Sequence, residues 1–229
     1  MKTIGMIGGT GWPSTLEYYK ILNRETNRRL GGLNSAKIIL YSFNYAEIDK
    51  LNKVEDHNTI YDLILKAITE LKKTSVDFII LCANTLHQYV EKLEDKTSIK
   101  VVHIADATAS EIKKNGLNKI GLLGTRPTME MDFYTKRLQN VSIETFVPEK
   151  RERDFIHNAI MNELLKEEFK PETKNKFLDI ITELENKGAQ GIVLGCTEIP
   201  LLIKQNDIKL PVFNTLEIHA KATVDFALG

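Results

Sequence analysis

Two short segments of the sequence carry residue types that could react with a small molecule. The first, Gly195-Cys196-Thr197-Glu198, follows an apolar run, so it is predicted to lie where a buried strand ends and a helix begins. A thiol beside the amino end of a helix is expected to favour its thiolate form, and the glycine before it lets a substrate approach the backbone. The alternative is that Cys196 packs in the core, as most free cysteines do.

The second segment is Cys82-Ala83-Asn84-Thr85-Leu86-His87, which also follows an apolar run. Asn84 and Thr85 could hydrogen-bond a substrate carboxylate or amino group, although both types also cap helices. Glu198 in the first segment could bind a substrate ammonium group, or could stabilise the first turn of its helix. His87 falls about a turn into the following helix, where a surface or packing role competes with a catalytic one, whereas His103 and His219 are expected to support the site by hydrogen bonds.

A glycine-rich turn, Gly8-Gly9-Thr10-Gly11, is predicted to follow the first strand. It is not a dinucleotide fingerprint, because Ser14 stands where the third glycine is needed, and it lacks the Lys-Ser/Thr of a Walker A loop. The backbone amides and Thr10 could still hold a small anion such as a carboxylate. Ser14 and Glu17 form a capping-box pattern, which predicts that the next helix begins at Ser14 and ends near Leu30.

Short apolar runs and amphipathic stretches alternate along the whole chain. The predicted strands are Thr3–Ile7, Lys37–Tyr41, Phe78–Leu81, Val101–Ile104, Lys119–Leu123, Ser142–Phe146, Gly191–Leu194 and Pro211–Phe213. The helices include residues 56–73, 151–165 and 172–186. This alternation predicts an α/β fold with mostly parallel sheet flanked by helices.

The second half of the sequence repeats the pattern of the first. Gly9-Thr10 matches Gly124-Thr125, and Ala83-Asn84-Thr85 matches Cys196-Thr197-Glu198 at a nearly constant offset. We therefore predict two pseudo-symmetric lobes, residues 1–99 with 210–229 as the amino-terminal lobe and residues 100–209 as the carboxy-terminal lobe. Open parallel sheets bind ligands at the carboxyl ends of their strands, so the site is expected where the strand ends of the two lobes meet.

Composition excludes several classes of protein. Lys+Arg and Asp+Glu both total 31, and no basic stretch could follow a phosphate backbone, so we expect no nucleic-acid partner. No apolar run approaches the ~20 residues of a membrane helix, and the apolar amino-terminal stretch is too short for a signal peptide. Two cysteines without Cys-x-x-Cys spacing predict a reducing, cytoplasmic environment, and the metal ligands are too scattered for a zinc site.

Taken together, these motifs resemble the cofactor-independent aspartate/glutamate racemase superfamily, in its amino-acid racemase branch. The resemblance spans nearly the whole chain. It is carried by Ile4-Gly5-Met6-Ile7-Gly8-Gly9, Tyr18-Tyr19, Leu30-Gly31-Gly32, Asn84-Thr85-Leu86-His87, His103-Ile104-Ala105-Asp106-Ala107-Thr108, Leu123-Gly124-Thr125-Arg126 and Gly195-Cys196-Thr197-Glu198-Ile199. It implies two α/β lobes, one base from each lobe, α-proton transfer without pyridoxal phosphate or metal, and a homodimer.

The resemblance places the two bases unequally in this sequence. The second base falls on Cys196, whereas the first falls on Ala83, which cannot transfer a proton. Cys82 lies one residue before that slot, and a shift of one along a strand normally turns a side chain to the other face. Thr10 stands where many relatives have methionine, and Asn44 where related chains often have aspartate. Both departures bear on the choice of substrate.

The sequence therefore predicts a racemase of a small acidic amino acid, aspartate or glutamate, with Cys196 as the main base. Water, Thr85 or Cys82 would serve the other face of the substrate. The residues expected to bind substrate are Gly9, Thr10, Asn84, Thr85, Thr125, Thr197 and Glu198. Two alternatives remain: an impaired family member that only binds amino acids, and a one-cysteine decarboxylase or isomerase that acts on dicarboxylates.

Overall fold

Strands and helices alternate along the chain in the computed structural model, which describes residues 1–229. The chain divides into two units. The first unit is Met1–His103 with His219–Gly229, and the second is Ile104–Ile218. Each unit contains one parallel sheet flanked by helices, which confirms the predicted α/β class. No helix combines the length and the hydropathy needed to cross a membrane.

The first unit has a three-stranded sheet in the order β2-β1-β3. Its elements are β1 (Ile4–Gly8), α1 (Trp12–Leu30), β2 (Ile38–Ser42), α2 (Tyr45–Lys53), α3 (His57–Lys72), β3 (Phe78–Leu81), a 3-10 helix (Asn84–Tyr89) and α4 (Val90–Thr97). The central strand β1 and its neighbour β3 are fully buried. Apolar side chains from α3, such as Ile64 and Ile68, pack on the sheet with Ile79 and Leu81.

The second unit has a four-stranded sheet in the order β5-β4-β6-β7. Its elements are α5 (Ile104–Lys114), β4 (Lys119–Gly124), α6 (Arg126–Glu130), α7 (Asp132–Gln139), β5 (Glu144–Phe146), α8 (Lys150–Asn162), a 3-10 helix (Leu164–Lys166), α9 (Pro171–Asn186), β6 (Ile192–Gly195), α10 (Ile199–Leu202), a 3-10 helix (Gln205–Asp207) and β7 (Val212–Asn214). The last helix, α11 (Thr215–Leu228), begins in this unit. Leu123 and Leu194 of the central strands pack with Ile156 of α8 and Phe177 of α9.

The first three strands of each unit are arranged in the same order, with the first strand between the second and the third. The second unit then adds β7, which pairs with β6. Residues 210–218, which the sequence analysis assigns to the amino-terminal lobe, therefore lie in the second unit. The end of α11 belongs to the first unit, where the Phe226 ring packs on Phe78 at 4.7 Å between centroids.

Helix α1 begins earlier than the capping-box pattern predicts. It starts at Trp12, so Ser14 and Glu17 lie inside the helix and no side chain caps its amino end. Pro13 explains the difference, because its fixed φ suits the first turn of a helix and its missing N–H is not needed there. Gly11, at φ 104°, forms the turn into the helix.

Two further elements differ from the sequence analysis. The predicted strand Val101–Ile104 is reduced to one bridge between Ile79 and Val101, because α5 already begins at Ile104. Helix α2 was not predicted. Its only buried residue is Ile48, so it lacks the apolar repeat that reveals a longer helix.

Candidate active site

The turn after β1 is closely packed at Gly9. Its φ is +83°, and a Cβ there would lie 2.2 Å from the carbonyl oxygen of Phe43, so only glycine fits. The Gly9 N–H donates to Thr15 Oγ1 at 2.9 Å. This amide is therefore engaged within the protein. It is not available for the anion-binding role that the sequence predicts for the amides of this turn. Gly9 contributes the turn that positions Thr10.

Thr10 carries a buried hydroxyl without a hydrogen-bond partner in the structure. Buried polar atoms are nearly always paired in folded proteins, so an unpaired one needs an explanation. A ligand atom that completes the hydrogen bond is one such explanation. The substrate-binding role predicted for Thr10 stays a prediction, now with a physical basis.

The segment after β3 lies beside the end of β1, since the Cys82 N–H donates to the carbonyl oxygen of Ile7 at 2.8 Å. Cys82 itself is 1% exposed, and burial raises the pKa of its thiol far above the ordinary range. It is therefore held as a neutral thiol inside the first unit. Ala83 is half-buried and packs against the apolar core of that unit. Asn84 is buried, whereas Thr85 is partly exposed.

Three buried histidines of the first unit lie close to one another near this segment. The His87 ring lies 4.8 Å from the His103 ring and 5.4 Å from the His219 ring, both edge to face. His219 Nε2 lies 2.8 Å from the carbonyl oxygen of Val102, and its Nδ1 lies 2.8 Å from the hydroxyl of Tyr18. Because a carbonyl can only accept, Nε2 carries the proton and Nδ1 accepts from the tyrosine.

His87 carries its proton on the other ring nitrogen. Its Nδ1 donates to the carbonyl oxygen of Ala83 at 3.0 Å, which leaves Nε2 as an acceptor without a partner. Burial lowers the pKa of His87 well below its usual value, and lowers that of His219 to about 4. We call His87, His103 and His219 the histidine cluster. The sequence predicts a supporting role for His103 and His219, but nothing in the spacing of the three histidines indicates that they meet.

In the second unit, the segment after β4 presents two threonine hydroxyls, with Oγ1 of Thr125 and Oγ1 of Thr128 3.2 Å apart. Arg126 beside them pairs with Asp154 of α8 at 2.8 Å, and its backbone N–H donates to Nδ1 of His157 at 3.4 Å. The segment after β6 lies at the same edge of the sheet, because Gly124 and Gly195 are partners in the register of β4 and β6.

Cys196 stands at the exit of β6 and is 8% exposed. Its Sγ donates to Oε2 of Glu198 at 2.9 Å, and the hydroxyl of Thr197 donates to the same oxygen at 2.8 Å. Glu198 is 6% exposed. A thiol and a carboxylate are thus held in contact at a buried strand end.

The structure overturns the expected ionisation of this thiol. Burial raises the pKa of Cys196 well above its ordinary value, and the charge of Glu198 raises it further, while the backbone N–H groups of Thr197 and Glu198 oppose the shift. Helix α10, which follows, has four residues and begins only at Ile199. Its dipole is too small to offset the carboxylate.

Within each unit, the predicted site residues share one edge of the sheet. In the first unit these are Gly9, Thr10, Ala83, Asn84 and Thr85; in the second they are Thr125, Cys196, Thr197 and Glu198. No group of three or more His, Cys, Asp or Glu side chains is arranged to hold a metal ion.

Comparison with known proteins places this arrangement in one class. The family model of Asp/Glu/Hydantoin racemases matches residues 7–223. The chain therefore belongs to the Asp/Glu/Hydantoin racemase family, which confirms the resemblance seen in the sequence.

Individual relatives cover most of the chain. The broad specificity amino-acid racemase RacX of Bacillus subtilis (strain 168) is 28% identical over 178 residues, covering 76% of this chain and 75% of the relative. A crystal structure of a Yersinia pestis protein proposed to be an Asp/Glu racemase is 42% identical, with a TM-score of 0.94 and 100% coverage of both chains. An aspartate racemase homologue from Pyrococcus horikoshii OT3 is 33% identical, with a TM-score of 0.86 and 100% coverage of both chains.

Proposed function

We propose that this protein is an amino-acid racemase that acts on aspartate or glutamate without a cofactor, with Cys196 as its main base. The observation that carries the proposal is the thiol of Cys196, held at the exit of β6 by Glu198 in a chain of the racemase family. A thiolate is a base strong enough to remove an α-proton, and the raised pKa of Cys196 makes its thiolate a stronger base once it forms.

In the proposed reaction, the Cys196 thiolate removes the α-proton, and the electron pair stays on the α-carbon as a carbanion next to the substrate carboxylate. Hydrogen-bond donors that hold the carboxylate would stabilise this developing charge. Thr10, Asn84, Thr85, Thr125 and Thr197 are the proposed donors. A second proton then reaches the other face of the carbanion.

The source of that second proton distinguishes this chain from a two-thiol racemase. Ala83 has no acidic proton to give. Cys82 is buried and held as a neutral thiol, so we propose that it takes no part. Water, or the partly exposed hydroxyl of Thr85, remains as the donor. The proposed enzyme therefore has one thiol base.

Deuterium exchange tests the proposal directly. L- and D-aspartate and L- and D-glutamate are incubated with the enzyme in D2O, and α-deuterium uptake and chirality are followed together. Exchange with inversion is expected, whereas exchange with retention would indicate a one-faced exchange enzyme. The test also includes a panel of neutral and basic amino acids, because the name of the Bacillus relative suggests a broad specificity. If none of these substrates exchanges its α-proton, racemisation is contradicted altogether.

Matched cysteine variants identify the base. Cys196→Ser is expected to lower exchange by at least about 100-fold, since general-base catalysis contributes that much or more. Cys82→Ala should retain most of the exchange, at a cost in stability of about 1 kcal/mol for the lost sulfur contacts. Equal losses in the two variants would refute the assignment of a single base.

A second candidate function is favoured by the burial of Cys82. With one usable thiol, the site also suits a decarboxylase of malonates or a maleate isomerase of the same superfamily. Release of carbon dioxide from malonates, or conversion of maleate to fumarate, in the absence of racemisation would favour this function. Thermal stabilisation by amino acids without turnover, and with unchanged binding in Cys196→Ser, would favour a protein that only binds amino acids.

We further propose that the protein is a cytoplasmic homodimer, as the family resemblance and the two free cysteines suggest. Light scattering on the purified protein would measure twice the 26.0 kDa of one chain. A monomer at assay concentration would contradict the dimer, and recovery from a compartment other than the cytoplasm would contradict the location.

A further inference from the structure

A pocket of about 500 Å³ lies in the first unit, apart from the strand ends that carry the proposed catalytic residues. Ligand pockets in proteins typically measure about 300–1,000 Å³. The residues of this pocket come from the first turns of α3, from α4 and from the end of the 3-10 helix Asn84–Tyr89. Its lining includes His57, Tyr61, Tyr89, Lys92, Asp95 and Lys96.

Two tyrosine rings give this pocket an aromatic surface. The centroids of the Tyr61 and Tyr89 rings are 6.2 Å apart, with 56° between the ring planes. Tyr89 is 7% exposed and belongs to the apolar core of the unit, and Tyr61 packs against that core. The hydroxyl of Tyr61 donates to the carbonyl oxygen of Lys92 at 3.5 Å, and that of Tyr89 lies 3.4 Å from Nδ1 of His57. The rings are therefore held in place before a ligand binds, and a planar ring is the ligand group that such a surface favours.

Two exposed lysines line the same pocket. Lys92 and Lys96 are one helical turn apart on α4, so their side chains lie on the same side of the helix. Neither lysine forms an ion pair in the structure, and the neighbouring Glu94 is paired with Lys100 at 3.0 Å. Two such ammonium groups favour a ligand with more than one negative charge, and a phosphate monoester carries about −1.5 to −2 charges at pH 7.

Asp95 is the carboxylate in the lining. An ionised carboxylate only accepts hydrogen bonds, and it repels a phosphate placed against it. Hydroxyl groups are the ligand groups that match it, and an acidic side chain binds the ribose hydroxyl in dinucleotide-binding folds. The aromatic surface, the two lysines and this carboxylate together match a ligand that has a planar ring, a sugar and a phosphate.

We propose that this pocket is a binding site for a nucleoside monophosphate. The base packs on Tyr61 and Tyr89, the phosphate pairs with Lys92 and Lys96, and the ribose hydroxyls donate to Asp95. The site does not depend on the proposed racemase function, so its test measures binding and not catalysis.

Isothermal titration calorimetry on the wild-type protein tests the proposal with three ligands. Adenosine 5'-monophosphate (AMP) has the base, the ribose and the phosphate, whereas adenosine lacks the phosphate and ribose 5-phosphate lacks the base. AMP is expected to bind at one site per chain. Each partial ligand should bind at least about tenfold more weakly, because it loses either the stacking or the charged contacts. This comparison needs no variant to fold.

Variants of three surface positions locate the site. In the double variant Lys92→Gln/Lys96→Gln, AMP should bind at least about tenfold more weakly, because charge-assisted hydrogen bonds to the phosphate are lost. Lys66→Gln is the matched control, since Lys66 is an exposed lysine of α3 outside the pocket, and it should bind AMP like the wild type. Tyr61→Leu keeps an apolar side chain but removes the ring, so its affinity should fall about fivefold or more.

Four results would overturn the proposal. The first is an unchanged AMP affinity in the double lysine variant, and the second is an equal loss in Lys66→Gln. The third is adenosine or ribose 5-phosphate binding as tightly as AMP, or no binding at millimolar AMP. The fourth is displacement of AMP by aspartate, which would place the nucleotide in the amino-acid site.

Discussion

Acid should destabilise the first unit through His219. This side chain is buried and neutral, bonded at Nε2 to the carbonyl oxygen of Val102 and at Nδ1 to the hydroxyl of Tyr18. Burial lowers its pKa from 6.5 to about 4. Between these values the unfolded chain binds a proton that the folded protein does not, so stability is complete above pH 6.5 and is lost as the pH falls towards about 4.

The size of the effect follows from the shift. Each unit of pKa difference corresponds to about 1.4 kcal/mol, so full protonation of the unfolded state costs the fold about 3 kcal/mol. That is a large part of the roughly 5–15 kcal/mol that stabilises a typical domain. His87 should add to the loss, since its pKa lies well below its usual value in the same cluster.

The test compares the free energy of unfolding of the wild type with that of His219→Gln. Both are measured by urea unfolding, followed by circular dichroism, at about pH 7.5 and at about pH 4.5. The glutamine amide can still donate to Val102 but does not titrate. The variant should be less stable than the wild type at the higher pH. At the lower pH the difference in free energy of unfolding should shift by about 2–3 kcal/mol in favour of the variant. A gap that is the same at both pH values would refute the reasoning.

Three other substitutions test single features of the structure. Gly9→Ala should destabilise by roughly 3 kcal/mol or more, because its positive φ is strained for alanine and the new Cβ would lie 2.2 Å from a backbone oxygen. Gly31→Ala is the control, since its φ is also positive but nothing lies within 4 Å, and a similar loss in thermal unfolding for both variants would contradict the packing argument. Tyr134→Phe should cost about 1–2 kcal/mol in urea unfolding, because its buried hydroxyl donates to Thr108 at 3.0 Å, and a neutral result would show that bond to be dispensable. Ala83→Cys should raise the rate of racemisation measured by polarimetry, because it restores a thiol at the first-base slot; an unchanged rate would contradict the assignment of that slot.

The fold was predictable from sequence where burial is continuous. Strands such as Phe78–Leu81 and Ile192–Gly195 are buried at every residue, so they appear as unbroken apolar runs between turn residues. Elements whose positions depend on few buried residues were missed or misplaced. Helix α2 buries only Ile48, and the residues around Val101 form a single bridge.

The candidate site was predictable in position but not in electrostatics. Cys196 could be placed at a strand exit because the preceding run is apolar, and its neighbours match the family. Its ionisation depends on where the Glu198 side chain points, and adjacent sequence does not determine that. The histidine cluster is a similar case, since His87, His103 and His219 meet through the fold and not through any local repeat.

The two units keep the same strand order but differ in the charge at their strand ends. The end of β3 presents neutral groups: a protonated Cys82, the alanine slot, and His87 and His219 with lowered pKa values. The end of β6 presents a thiol in contact with a carboxylate. An α-proton is a very weak acid, so a thiolate of raised pKa is the better-matched base once it forms.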